Sequence, residues 1–127
     1  MTNPLLLVVD DEKDMAEFIG DVGKAAGFDA EITTSGKEFQ DIYLQKQPDV
    51  IVMDVMMPDL DGYDLLKWQS ERNCKVPTIL ISGFDSSYLE IAETAGNGMM
   101  GNIVGTLGKP FSFDDMEQML KKALAVN

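Results

Sequence analysis

Five short apolar runs, each followed by a stretch whose apolar residues recur at helical spacing, are the strongest constraint on how this chain can fold. They occupy residues 5–9, 30–33, 50–54, 78–82 and 103–107. An unbroken apolar run of about five residues fits a strand that is buried on both faces, and such strands belong to parallel sheets covered by helices. The alternation therefore predicts an α/β fold in which each helix crosses over the sheet between two parallel strands.

Turn and capping signals divide the chain into five strand–helix units. Gly27 closes the first predicted helix, and the 30–33 run is half polar, as is typical of an edge strand. Three motifs of the capping-box type predict helix starts: Ser35 with Glu38, Ser87 with Glu90, and Ser112 with Asp115. We expect residues 1–127 to form a single domain, a doubly wound (βα)5 parallel sheet in the flavodoxin-like strand order 2-1-3-4-5.

The composition excludes several classes of function. Ten basic and 22 acidic residues give a net charge of −12, so we expect this domain to bind neither nucleic acid nor an anionic membrane surface. A single cysteine, Cys74, allows no internal disulfide and no cysteine-based zinc site, and the absence of histidine removes the usual zinc chemistry. The first apolar run is too short for a signal-peptide core or a membrane span, and no basic segment precedes it. We therefore expect a cytoplasmic protein.

Acidic residues follow two strands that should be neighbours in the predicted sheet. Asp10 and Asp11 come directly after the first apolar run, and Asp54 ends the third. In the strand order 2-1-3-4-5 the carboxyl ends of the first and third strands flank one crevice, so these carboxylates should converge there. Their mutual repulsion is costly unless a cation is bound, and an oxygen-only ligand set favours Mg²⁺.

The fourth and fifth predicted strands add a hydroxyl and an ammonium at the same edge. Ser82 ends the fourth apolar run, and Lys109 follows the fifth. A carboxylate nucleophile can accept a phosphoryl group in line while Mg²⁺ and a lysine offset charge on the phosphoryl oxygens. Each residue alone also fits an ordinary role, as a helix cap, a polar strand end or a solvated lysine. Only the set of residues predicts phosphoryl transfer.

Four motifs in this order resemble the receiver domains of two-component response regulators over the whole chain. They are Val8-Val9-Asp10-Asp11-Glu12, the stretch from Val52 to Gly62 that contains Asp54 and Met56-Met57-Pro58, Ser82-Gly83, and Lys109-Pro110-Phe111. The resemblance implies that Asp54 is the phosphoacceptor and that Mg²⁺ is held by Asp10, Asp11, Asp54 and the backbone carbonyl of Met56. It also implies that Ser82 and Lys109 bind the phosphoryl group and that the bond between Lys109 and Pro110 is cis.

The same resemblance implies partners and an output surface for a domain that is a switch and not an enzyme. The donor would be a histidine kinase or a histidine phosphotransfer protein, since this chain has no histidine. The output would pass through the fourth predicted helix, the fifth strand and the fifth helix to an effector domain or protein, or through a phosphorylation-dependent homodimer.

The sequence departs from the family pattern at two places that bear on output. Thr106 stands at the switch position, three residues before the lysine, where the family often has an aromatic residue. A Gly- and Met-rich insertion at residues 96–102 lengthens the connection before the fifth strand. This stretch resembles receivers attached to cyclic-dinucleotide phosphodiesterase domains, which makes such a domain a candidate effector.

Three alternatives remain from the sequence. A degenerate receiver that acts as a phosphate-independent interaction module fits Thr106 but not the intact acids and lysine. A phosphoaspartate-type hydrolase would need a second acid two residues after Asp54, where this chain has Met56. An FMN-binding module would need a phosphate-binding loop after the first strand, where Asp10 and Asp11 stand.

Overall fold

A computed structural model describes residues 3–55, 62–72, 75–83 and 103–126 of the chain. The strands are β1 (Leu5–Val9), β2 (Asp29–Thr33), β3 (Val50–Asp54), β4 (Thr78–Ser82) and β5 (Ile103–Gly108). The helices are α1 (Lys13–Ala25), α2 (Gly36–Gln45), α3 (Gly62–Glu71) and α4 (Phe113–Val126). The predicted helix that begins near Ser87 and the 96–102 insertion lie outside the described residues.

The five strands form one parallel sheet in the order β2-β1-β3-β4-β5, which confirms the predicted topology. β1 lies between β2 and β3, so the chain reverses its direction of winding at β1. Ligands of doubly wound folds bind at the carboxyl ends of the strands at this point. The crevice beside β1 and β3 is therefore the place where a site is expected.

Two apolar layers cover the sheet, because successive residues of a strand point to opposite faces. On the face of α1 and α4 the core includes Leu6, Val8, Val52, Ile81 and Met116. On the face of α2 and α3 it includes Leu7, Val9, Met53, Leu80 and Phe39. All residues of β3 and β4 are buried, which is why both strands read as unbroken apolar runs.

α1 approaches the sheet closely and ends in a Schellman motif. A Cβ atom on Gly23 would lie 2.6 Å from Cδ2 of Leu6, so a larger residue would force the Leu6 side chain or the helix to shift. Gly27 has a φ of 94°, its N–H donates to Lys24 O at 3.1 Å, and the N–H of Phe28 donates to Gly23 O at 2.9 Å. Gly27 thus ends the helix as the sequence predicted.

The two described capping motifs differ in detail. The Ser112 hydroxyl accepts from Asp115 N at 3.0 Å, and Ser112 N donates back to the Asp115 carboxylate at 3.4 Å, which is the reciprocal pattern. The Ser35 hydroxyl accepts from Glu38 N at 3.2 Å, but the Glu38 carboxylate accepts from Thr34 N at 3.0 Å. The second bond of that box therefore falls one residue before the predicted donor.

A bulge interrupts the pairing of β5 with β4. Thr78 is opposite Ile103 and Ile79 is opposite Gly105, so Val104 is an extra residue in β5. Beyond the bulge Thr106 pairs with Leu80 and lies on the same face of the sheet as that residue. Among the described helices, none has the length and hydropathy to cross a membrane.

Candidate functional site

Four strand ends bring the predicted site residues to one edge of the sheet. Val9 of β1 is opposite Met53 of β3. The next residue of each strand is an acid, so Asp10 and Asp54 lie side by side. Asp54 is also opposite Ile81, and the N–H of Lys109 donates to the carbonyl oxygen of Ser82 at 2.8 Å. Backbone pairing alone therefore places Asp10, Asp54, Ser82 and Lys109 around one crevice.

Three carboxylates at this edge could share a cation. Asp10, Asp11 and Asp54 each offer an oxygen, and these oxygens lie within 4.8 Å of one another. Asp10 is fully buried and Asp54 is 3% exposed, whereas Asp11 is exposed. The crevice thus has two buried carboxylates at its base and one at its rim.

Among the described residues, Lys109 is the cation that contacts Asp10 and Asp54, and it also contacts Glu12. Its ammonium lies 2.8 Å from Asp10 Oδ2, 3.0 Å from Glu12 Oε1 and 3.2 Å from Asp54 Oδ2. The lysine side chain is only 9% exposed. An ammonium has three N–H donors, and three carboxylates surround this one.

Burial and charge act in opposite directions on both members of the central ion pair. Burial raises the pKa of the Asp10 carboxyl, and this effect outweighs the contact with Lys109 and the hydrogen bond from Glu12 N, which lower it. For Lys109, burial lowers the pKa, but the contacts with Asp10, Asp54 and Glu12 outweigh burial and raise the pKa above its usual value. Lys109 is therefore a fixed positive charge at neutral pH.

The donor set fits a hard divalent cation. Asp10 Oδ1 accepts a hydrogen bond from Glu12 N at 2.9 Å, but the buried Oδ2 atom accepts none from the described part of the chain. Its contact with Lys109 is an ion pair without hydrogen-bond geometry. Asp10, Asp11, Glu12 and Asp54 bring four carboxylates to the crevice against the one ammonium of Lys109, so negative charge is in excess. Carboxylate oxygens in this number suit Mg²⁺.

The structure describes all but one of the remaining predicted residues. Ser82 is fully buried at the end of β4, and the Lys109–Pro110 bond is cis. Thr106 is half-buried in β5, on the face of the sheet away from α4. Met56, whose carbonyl is a predicted metal ligand, lies outside the described residues.

Among the described residues, Glu12 is the one member of the site to which the sequence analysis gave no role. Its carboxylate reaches Lys109 across a sequence separation of 97 residues. The available signal was a third consecutive acid after β1, at the position where α1 begins. That position does not by itself show which way a long side chain points.

Comparison with known proteins agrees with the fold and identifies the family. The model of the response regulator receiver domain family matches residues 6–121. The regulatory protein AtoC of Escherichia coli is 28% identical over 119 residues, which cover 94% of this chain and 25% of AtoC. The response regulator SaeR of Staphylococcus aureus is 35% identical over 77 residues, or 61% of this chain and 33% of SaeR. The chain thus spans a minor part of the length of these relatives.

Solved structures extend the similarity to nearly the whole chain. The receiver domain of the Francisella response regulator 1452 is 34% identical, with a TM-score of 0.81, and the match covers 98% of this chain and all of that one. A response regulator receiver domain protein from Clostridium thermocellum has a TM-score of 0.83 at 22% identity, covering 97% and 95% of the two chains, and supports the fold alone. The family match over most of the chain shows that this protein belongs to the response regulator receiver domains of two-component systems.

Proposed function

We propose that this receiver domain accepts a phosphoryl group on Asp54 from a histidine kinase or a histidine phosphotransfer protein, in a reaction that depends on Mg²⁺. One observation supports this most directly. The nearly buried Asp54 carboxylate lies 3.2 Å from the Lys109 ammonium and within 4.8 Å of the oxygens of Asp10 and Asp11. A nucleophile, a fixed cation and a set of metal ligands therefore meet at one point.

In the proposed transfer an oxygen of the Asp54 carboxylate attacks the phosphorus of a phosphohistidine. The new O–P bond forms as the N–P bond breaks, and the electron pair of that bond stays on the imidazole nitrogen, which takes a proton from solvent. The donor imidazole belongs to another domain or protein, because this sequence has no histidine.

The residues of the crevice hold and neutralise the transferred group. Lys109 remains protonated and can donate to a phosphoryl oxygen without giving up its charge. Asp10, Asp11 and Asp54, with the Met56 carbonyl, would hold Mg²⁺, which when bound supplies charge neutralisation at the phosphoryl oxygens. The Ser82 hydroxyl would donate to a further oxygen.

Phosphorylation would be read out as a shift between two populated states. The phosphoryl group carries roughly 1.5 to 2 negative charges, which replace the single charge of the Asp54 carboxylate, and it draws Ser82 and Lys109 toward it. The backbone bond from Lys109 N to Ser82 O at 2.8 Å joins the ends of β4 and β5, so both strand ends move together. The shift passes to β5, α4 and the predicted helix that precedes β5.

Effectors and assembly belong to the proposal as well. TrcR of Mycobacterium tuberculosis, a relative, is a transcriptional regulatory protein. An attached or separate effector, a cyclic-dinucleotide phosphodiesterase domain among the candidates, would read the output surface in the cytoplasm, and a phosphorylation-dependent homodimer is a second route. The domain itself would act as a switch and not as an enzyme.

Calorimetric titration with beryllofluoride, a mimic of the phosphoryl group, tests the assignment. In the presence of Mg²⁺ the wild type should bind one equivalent, and Asp54→Asn should bind none, because the mimic attaches to the carboxylate. Chelation of Mg²⁺ should abolish binding. Equal binding by wild type and Asp54→Asn, or none by either, would rule out this site.

A further inference from the structure

Glu12 occupies a position in the site that the proposed transfer leaves without a role. Its carboxylate lies 3.0 Å from the Lys109 ammonium, yet its side chain is 65% exposed, whereas those of Asp10 and Asp54 are almost fully buried. The oxygens of Asp10, Asp11 and Asp54 lie within 4.8 Å of one another and are placed to hold a cation or to receive the phosphoryl group, and Glu12 is not in this group. Glu12 is placed only to hold the lysine.

The hydrogen bonds of Glu12 also favour a contact between its side chain and Lys109. Glu12 is the N-cap residue of α1, where a short polar side chain normally accepts a hydrogen bond from the first turn, but no such bond is made by its side chain. Its backbone is fixed instead: Glu12 N donates to Asp10 Oδ1 at 2.9 Å, and Glu12 O accepts from Ala16 N at 3.0 Å. A fixed backbone with a side chain committed to Lys109 makes the contact more than a chance surface pair.

The three contacts of Lys109 require an exchange when a phosphoryl group arrives. The ammonium donates hydrogen bonds to Glu12 and Asp54 and lies 2.8 Å from Asp10, so three carboxylates crowd it and a phosphoryl oxygen must displace one of them. A cation would redirect Asp10 and Asp54, and the carboxylate still competing for the lysine would be Glu12. The charge of Glu12 also repels the incoming anion.

We propose that Glu12 is a positioning residue that restrains Lys109 in the unphosphorylated protein by competing with the phosphoryl group for the ammonium. This inference rests on the proposed function of Asp54. It predicts that loss of the Glu12 carboxylate favours the phosphoryl-bound state, because Lys109 is then released to bind the phosphoryl group.

The test compares beryllofluoride affinity at saturating Mg²⁺ in the wild type, Glu12→Gln and Asp14→Asn. Glu12 is an exposed residue, so both variants are expected to fold, which far-ultraviolet circular dichroism checks. Asp14 is an exposed acid in the first turn of α1 that makes no ion pair with Lys109 in the described part of the chain, so it matches the change in net charge. Glu12→Gln should bind beryllofluoride about two- to fivefold tighter at low ionic strength, the range of an exposed ion pair, and Asp14→Asn should stay near the wild type.

A second measurement separates the restraint on Lys109 from a general change of the site. Affinity for Mg²⁺ alone should not increase in Glu12→Gln, because a negative charge near the cation has been removed. A Glu12→Gln affinity for beryllofluoride that equals that of Asp14→Asn, or falls below the wild type, would overturn the inference, and so would an equal gain in Mg²⁺ affinity. Absence of Asp54-dependent binding in the wild type would instead defeat the proposed function.

Discussion

The ammonium of Lys109 lies 2.8 Å from a carboxylate oxygen of Asp10, and this pair joins the end of β5 to the end of β1 across β3 and β4. Both side chains are nearly or fully inaccessible to solvent. Desolvation of a buried pair costs several kcal/mol per ion, so its presence is weak support for stability and better explained by function. Here the pair places a positive charge beside Asp54 before any phosphoryl group is bound.

Removing the lysine should destabilise the protein when no divalent cation is present. Lys109→Met leaves Asp10 and Asp54 buried without their positive partner, and we expect a loss of about 3 kcal/mol in the free energy of unfolding, measured by urea denaturation in a chelator. Mg²⁺ should restore part of the loss, because it replaces the missing positive charge.

The control for this substitution is Lys46→Met. Lys46 pairs with Glu31 at the surface, where the two side chains are 50% and 32% exposed. We expect less than about 1 kcal/mol there. Equal losses in the two variants would show that burial of the Lys109 contacts adds nothing.

Stabilisation by Mg²⁺ should depend on pH through Asp10. Because burial raises the folded-state pKa of Asp10 above 3.8, its favourable contribution in chelator is fully present below 3.8 and is lost as pH rises through the folded pKa. A bound cation needs the ionised carboxylate, so it reverses this loss. The difference in melting temperature between Mg²⁺ and chelator should therefore grow as pH rises through that pKa.

Thermal denaturation at a series of pH values measures this difference, with Asp10→Asn as the control. At a hundredfold excess of Mg²⁺ over its dissociation constant, the gain in the free energy of unfolding at neutral pH should approach about 2.7 kcal/mol. Asp10→Asn should show a small, pH-independent gain. The same gain at every pH in the wild type would contradict the account.

The two glycines of α1 that face the sheet should respond differently to alanine. In Gly23→Ala the new methyl group would lie 2.6 Å from Cδ2 of the fully buried Leu6, so we expect a loss of about 1 to 3 kcal/mol. In Gly20→Ala the nearest atom is Cγ2 of Ile32 at 3.0 Å, and Ile32 is exposed enough to move.

For Gly20→Ala, the higher helix propensity of alanine, worth about 1 kcal/mol, should offset the contact. Urea denaturation of the two variants checks the difference. If Gly20→Ala is destabilised as much as Gly23→Ala, the close approach of α1 to β1 is not the reason that position 23 requires glycine.

The sequence was sufficient for most of the fold because its apolar runs are nearly continuous. β3 and β4 are buried on both faces, so their burial can be inferred from the apolar residues of the two runs. Because the carboxyl ends of parallel strands lie at one edge of the sheet, the positions of Asp10, Asp54 and Lys109 in the sequence predict where they meet. The short connections and the handedness of crossovers predict a doubly wound parallel sheet, and the order 2-1-3-4-5 is a common one for five such units.

Features set by side-chain direction or local irregularity were not predictable in the same way. The bulge at Val104 lies beside Gly105, but a glycine inside a strand does not by itself show which residue is the extra one. The reach of Glu12 to Lys109, and of Glu38 to Thr34 N, depends on rotamers of long side chains that several acceptors or donors could satisfy. Burial does not constrain such exposed residues, so sequence pattern carries little information about them.

The most direct test of the central claim is intact-mass spectrometry after incubation with acetyl phosphate and Mg²⁺. The wild type should gain the mass of one phosphoryl group, peptide mapping should place it on Asp54, and both Asp54→Asn and the wild type in chelator should gain none. Phosphorylation of Asp54→Asn to the same extent as the wild type, or no gain in the wild type, would contradict the assignment of Asp54 as the phosphoacceptor.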